Sequence, residues 1–329
     1  MLLDFHAHHT PTAYADAMAR FGDAHRPPGW SRLPHTDAPD EVARRLEMMD
    51  QAGVQTQVLS HGIMAPYLPD QDQARTAARA SNDGYADLMS RYPGRFGGLV
   101  ALPLPHVDAA LRELERGMDE LGMWGAAMNC SVMQRSTAES EFEPIYAELN
   151  RRGALLFFHP CASGICSPMI TDYGLAGAAG TSMEDTTIVL HLIVKEIPRR
   201  YPNLRIIIAH LGGLIPMLLQ RLDHQLRPAH PRLAEPPSVS ARRLYYDTVG
   251  HGSHAALWCA WKAFGAHHLV PGSDWPVLLA HESYRETMHW IEDAGLPAED
   301  VASILDQSGP ALLGATSPSA RQSGPVDDS

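Results

Sequence analysis

Eight short runs rich in aliphatic, β-branched and aromatic residues recur along the chain, and longer stretches with helical spacing separate them. They begin at Leu2 (LLDFH), Thr56 (TQVLSH), Arg95 (RFGGLVAL), Trp124 (WGAAMNC), Ala154 (ALLFFH), Leu204 (LRIIIAH), Arg243 (RLYYDTV) and His268 (HLVPGSD). Strands that alternate with helices in this way direct a chain to a parallel sheet with helices outside it. Eight such units are the number that closes a (β/α)8, or TIM, barrel, so the expected fold class is α/β of that type. The intervening segments carry helix punctuation. In PDEVARRLEMMDQAG, Pro39 suits a first helical position and Gly53 follows the end. HVDAALRELERGMDELG, EFEPIYAELNRRG and PRRYPNLR follow the same grammar. Two Pro/Gly- or small-residue-rich stretches, from Tyr14 to Ala38 and from Ser163 to Ser182, read as insertions after strands 1 and 5, lying over the catalytic face.

Size and charge narrow the class further. The 329 residues suffice for one large barrel, expected over residues 1–315; from Thr316 the sequence has no apolar period, and a disordered tail over 316–329 is expected. With 45% apolar and 19% charged residues and a net charge of −12, the composition is that of a soluble protein and disfavours a nucleic-acid partner. No apolar run approaches 18 residues, and MLLDFHAHHTP lacks a basic start and apolar core, so a cytoplasmic chain without membrane contact is expected. The four cysteines, Cys130, Cys161, Cys166 and Cys259, are expected to be reduced thiols.

The runs end on chemistry. His6 and His8 are two apart at the end of the first, so strand period puts both imidazoles on one face, expected to be the barrel interior. His159 closes the fifth run, His210 the sixth and Asp274 the eighth, and catalytic groups of such barrels gather on that rim. Two or three imidazoles plus a carboxylate suit a divalent ion with a position open to water or substrate, zinc ahead of manganese. The fourth run has no lysine to bridge two metals; Lys195 and Lys262, the chain's only lysines, fall in helical segments, so one ion is expected.

The stretches DFHAHHTP, RRLEMMDQAGVQTQVLS, RYPGRFGGLVALPL, ALLFFHP, YPNLRIIIAHLGG and GSDWPV together resemble the amidohydrolase superfamily. Within it, they resemble the branch of aminocarboxymuconate-semialdehyde decarboxylase and the o-hydroxyaryl acid decarboxylases. The resemblance implies that His6, His8, His159 and Asp274 bind the metal while His210 acts as acid/base. It also implies that Arg221, eleven residues past His210, binds a substrate carboxylate in the neighbouring subunit's site, which favours a homodimer or higher homo-oligomer. The activity implied is non-oxidative decarboxylation of a small o-hydroxyaryl or unsaturated carboxylic acid. The proton donor is open between His210 and Asp274. A metal-dependent hydrolase or hydratase of a small carboxylate or lactone is the alternative on the same scaffold. Cys161 stands where the semialdehyde enzymes carry an aromatic residue, Arg32 is out of register with their second arginine, and 163–182 lacks their tryptophan. The substrate is therefore expected to differ from the muconate semialdehyde. His9, His25, His35, His251, His254 and His281 remain loop candidates without a specific role.

Overall fold

A computed structural model of the chain describes residues 1–21 and 36–314. His25, Arg32, His35 and the tail from Thr316 lie outside the described residues. The expected strands are β1 (Leu2–His8), β2 (Val54–Ser60), β3 (Phe96–Ala101), β4 (Gly125–Asn129), β5 (Leu155–His159), β6 (Arg205–Ile208), β7 (Tyr245–Asp247) and β8 (Leu269–Val270). They pair in sequence order, every ladder parallel. Between β8 and β1 the sheet closes by isolated bonds rather than a ladder. Phe5 N donates to Pro271 O at 2.9 Å, His8 N donates to Trp275 O at 2.8 Å, and Ala7 bridges Trp275. The result is a (β/α)8 barrel closed at this seam.

The helices that wrap it include α1 (Thr12–Phe21), α2 (Pro39–Gln51), α3 (Gln71–Arg91), α4 (Val107–Asp119), α5 (Glu143–Arg152), α6 (Thr181–Val194), α7 (Ile215–Ala229) and α8 (His254–Phe264). Pro39 opens α2, and Gly53 just beyond it is left-handed at φ +68°, as its role as a stop requires. Of PRRYPNLR, only the first three residues are helical, within the four-residue turn Ile197–Arg200. One apolar layer lies between sheet and helices; a second fills the barrel with Leu3, Phe5, Val58, Leu99, Phe157 and Ile207. Leu312, from the last helical segment Ser308–Gly314, joins that inner layer, and a Cβ on Gly309 would come within 2.9 Å of the Phe5 ring.

The described parts of both insertions contain regular structure. Tyr14, Ala17 and Met18 of α1 are buried against Leu68, Ala74 and Ala77, so an apolar helical face starts inside the first stretch. The second folds into short turns, Gly164–Cys166, Pro168–Thr171 and Ala176–Gly180, and then runs into α6. No described helix is long and apolar enough to cross a membrane.

Candidate active site

Strand parity alone would turn His6 and His8 away from the centre. Leu3 and Phe5 fill the barrel while Leu2 and Ala7 face the helices, so at strict period two His6 and His8 would share the face of Leu2. An irregularity in the β1–β2 register between Asp4 and Ala7 resets the alternation. His6 then packs edge-on against the interior ring of Phe157, with centroids 5.0 Å apart, and against His8 and His159, each at 4.9 Å.

One ligand atom from each of His6, His8, His159 and Asp274 lies within 4.8 Å of the others, and all four residues are buried. His6 Nε2 is 3.2 Å from His8 Nε2 and 3.2 Å from Asp274 Oδ1; His8 Nε2 is 2.9 Å from that oxygen. Ligands about 2.0–2.1 Å from a common tetrahedral centre stand roughly 3.3 Å apart, so these spacings fit one ion. His159 Nδ1 donates to Pro160 O (2.7 Å), and its buried Nε2 has no hydrogen-bond partner. A buried, unpaired nitrogen costs free energy unless something binds it, and a cation among these atoms would do so. The donor set therefore fits a single divalent ion.

Carboxylates behind the histidines choose which ring nitrogen faces the centre. Asp247, fully buried at the end of β7, lies 2.7 Å from His6 Nδ1 and accepts from the backbone N–H of His210 (2.8 Å) and of Val249 (3.0 Å). With its Nδ1 proton on Asp247, His6 presents the Nε2 lone pair inward. Burial alone would lower the His6 pKa, yet the charges of Asp247 and Asp274 override it and raise it to about 9, so this position favours positive charge. Burial holds His8 and His159 below the ordinary histidine value. Asp274 remains a carboxylate: burial works against it, but the neighbouring His6, His210 and His8 keep it well below the usual range. Asp4 is a further buried carboxyl, accepting from Ser273 N and Oγ, Gln57, Tyr284 and His6 N, and it ties β1 to the turn that carries Asp274.

His210 does not sit on its strand. It follows β6 in a turn where His210, Leu211, Gly212 and Gly213 all have positive φ, and Asp274 (φ +53°) lies four residues past β8. Non-glycine residues held there are uncommon and cluster at functional sites. Gly213 is required, because a Cβ there would lie 2.2 Å from the Ser182 carbonyl of α6. The same helix supplies Asp185, fully buried and 2.9 Å from His210 Nδ1, leaving Nε2 facing Asp274 Oδ2 at 3.8 Å. Burial would lower the His210 pKa, but Asp185 and Asp274 together raise it well above normal. The adjacent Glu184 accepts from Cys161 N (2.6 Å), Gly164 N (2.8 Å) and Ser163 Oγ (2.9 Å), anchoring the second insertion to the end of β5.

A cavity of about 880 Å³ opens above these groups, with His8, His159, His210 and Asp274 at its floor. His6 lies beneath them. The structure thus gathers every expected ligand and His210 in one place. Arg221 stands exposed on α7, outside the cavity of its own chain. Cys161 is paired with Ser131 Oγ at 3.0 Å, and burial pushes its thiol up to about 12. His251 and His281 reach the cavity wall; His9 is buried on Thr36 Oγ1 (2.7 Å) and His254 stacks on Trp290. Asp185, Asp247, Glu184 and Asp4 were not anticipated. Only Asp4, two residues before His6 in DFHAH, carried any local signal.

Residues 3–307 match the family model described as Amidohydrolase. The chain is 30% identical over 267 residues to γ-resorcylate decarboxylase of Rhizobium radiobacter, covering 75% of this chain and 80% of that protein. It is 28% identical over 318 residues to 6-methylsalicylic acid decarboxylase of Penicillium expansum, covering 94% of each. A crystal structure of dihydroxybenzoic acid decarboxylase from Polaromonas sp. JS666, with bound manganese and the inhibitor 2-nitroresorcinol, superposes with a TM-score of 0.79 at 23% identity, over 97% of this chain and 98% of that one. This chain belongs to the amidohydrolase family, in the branch that contains these decarboxylases.

Proposed function

We propose that the chain is a metal-dependent, non-oxidative decarboxylase of a small hydroxyaryl acid, a carbon–carbon lyase in which His6, His8, His159 and Asp274 hold one divalent ion and His210 handles the proton. The observation that carries this is the buried four-ligand cluster, with the unpartnered Nε2 of His159, open to a cavity whose floor also presents His210. The names of the relatives support decarboxylation over hydrolysis or hydration. The ion, when bound, supplies Lewis-acid charge that fixes a carboxylate and its neighbouring oxygen.

The chain's own groups do the rest. Asp185 holds His210 Nδ1, so the proton is exchanged at Nε2, opposite Asp274 Oδ2. That pair delivers a proton to the ring carbon bearing the carboxylate; the C–C bond then breaks, its electrons return to the ring, carbon dioxide leaves, and solvent reprotonates the pair. The cavity walls hold the ring over this pair.

Three imidazoles and a carboxylate accept both zinc and manganese. The manganese in the Polaromonas enzyme removes the ground for ranking zinc first, and reconstitution with each ion orders them. Arg221 retains its proposed carboxylate role only if a second copy docks beside the cavity. The exposed Met217, one turn before it on α7, supports such a contact, as do nearby Leu214 and Val277. Sedimentation of the protein together with the KM of Arg221→Ala tests both points.

The experiment for the function is carbon dioxide release from zinc- or manganese-loaded protein across hydroxyaryl acids, with two variants. His210→Asn should lower turnover by about 10²–10⁴-fold with metal content retained, the range of a lost acid/base group. His159→Ala should lose the metal as well. Equal metal loss in both variants would overturn this division of roles, and metal-replete protein that releases nothing from any acid would overturn the function.

A further inference from the structure

We infer that the acid this site takes carries an apolar substituent larger than methyl on the ring edge remote from its carboxylate, and that residues 174–178 of the second insertion form the wall that admits it. This rests on the decarboxylase reading above, and it adds the substrate class. A cavity of roughly 150 Å³ is enough to enclose a benzene ring. The cavity here measures about 880 Å³, near the upper end of the ~300–1,000 Å³ that bury drug-sized ligands. Within one chain, a single hydroxybenzoate with its carboxylate at the floor would leave most of that space unfilled.

The chemistry of the walls says what should fill it. Among the described residues that line the cavity, none is lysine or arginine. His159 Nε2 is buried and unpartnered at the floor, and on the sides Ile63, Leu211, Val249 and Met217 give a mainly apolar surface interrupted by His251 and His281. The insertion contributes Gly174, Ala176, Gly177 and Ala178, the smallest side chains available, at the wall above. At Gly177 the small residue is not forced by backbone or by packing: its φ lies outside the left-handed region, and an added Cβ would meet nothing within 4 Å. Space there is what a larger side chain would remove, so Gly177 is a specificity position rather than a structural glycine.

Each further buried methylene is worth about fourfold in kcat/KM (~0.8 kcal/mol), so a propyl or phenyl group in place of hydrogen should raise kcat/KM by at least about tenfold. The test measures carbon dioxide release by the metal-loaded protein from 2-hydroxybenzoate and its methyl, propyl and phenyl derivatives. Calorimetric binding of the same acids to metal-loaded His210→Asn protein runs alongside. The expected result is a rise in both kcat/KM and affinity with substituent size, and its collapse in Gly177→Leu, with Ala178→Leu as an independent second variant. Release of carbon dioxide with no preference for size, or the same size preference in both variants as in the parent, overturns this inference and leaves the decarboxylase reading standing. Size-graded binding without release from any acid does the reverse.

Discussion

Asp247→Asn isolates the most consequential contact behind the metal ligands. The substitution keeps shape, and Asn Oδ1 can go on accepting from the backbone N–H groups of His210 and Val249, now 2.8 and 3.0 Å away. That choice turns the new amide NH2 toward His6 Nδ1, where Asp247 Oδ2 sits at 2.7 Å. Two donors then face each other in a fully buried place, unless His6 moves its proton to Nε2. Nε2 is the atom directed at His8 and Asp274, so the relieving tautomer blocks the metal. An unsatisfied buried donor costs about 1–3 kcal/mol, and loss of an orienting group behind a metal ligand typically weakens binding 10–100-fold. Both routes lead to the same expectation, a metal Kd raised about 10–100-fold, or ~1.4–2.7 kcal/mol. Titration against a chromophoric chelator reads this directly, and denaturant unfolding in excess chelator checks that the metal-free fold survives. A Kd within twofold of the parent would mean that His6 Nε2 is not a ligand, and the tautomer argument would fail with it.

Two further predictions concern stability. A Cβ on Gly125 would lie 2.0 Å from the Leu155 carbonyl oxygen across the β4–β5 ladder, so Gly125→Ala must separate two central strands; a loss of about 3 kcal/mol or more in denaturant unfolding is expected, whereas Gly177→Ala should stay within about 0.5 kcal/mol. His61, buried between the carbonyls of Gly62 and Ala127, has its pKa lowered to about 4, mainly by burial. The unfolded chain therefore takes up this proton first as pH falls: the contribution is whole above about pH 6.5 and is lost toward pH 4, up to about 3 kcal/mol. His61→Gln should flatten the pH dependence of unfolding in that window when measured in chelator, and an unchanged slope would show that His61 does not carry it.

The barrel and the cluster of proposed metal ligands were legible because both follow from strand-scale rules. Period two pairs His6 with His8, and strand ends deliver His159, His210 and Asp274 to one rim. What those rules miss is set at long range or by local breaks in regularity. The register irregularity after Asp4 has no composition signal, yet without it the His6–His8 pair would face the helices. Asp185 and Asp247 look like ordinary residues of a helix and a strand; their partners are 25 and 241 positions away. The first insertion misled through its Pro/Gly-rich later part, which hid the helix packed through Tyr14 and Met18. Arg221 shows the opposite limit: its place in the motif says nothing about the chain that would lie against it.

The seam between β8 and β1 has a bearing on how the enzyme is born. Two of the four proposed ligands come from the first eight residues and one from position 274, so His8 and Asp274 meet across 266 positions of chain. During synthesis the amino-terminal histidines wait, without their carboxylate, until the last strand emerges from the ribosome. An ion held by the proposed ligands would join the first strand to the turn after the last, across the one joint closed by isolated bonds rather than a ladder. Holding the two ends of so long a loop suppresses its opening, so amide exchange at Phe5 and His8, whose N–H groups cross the seam, should slow on metal loading more than exchange in the β4–β5 ladder.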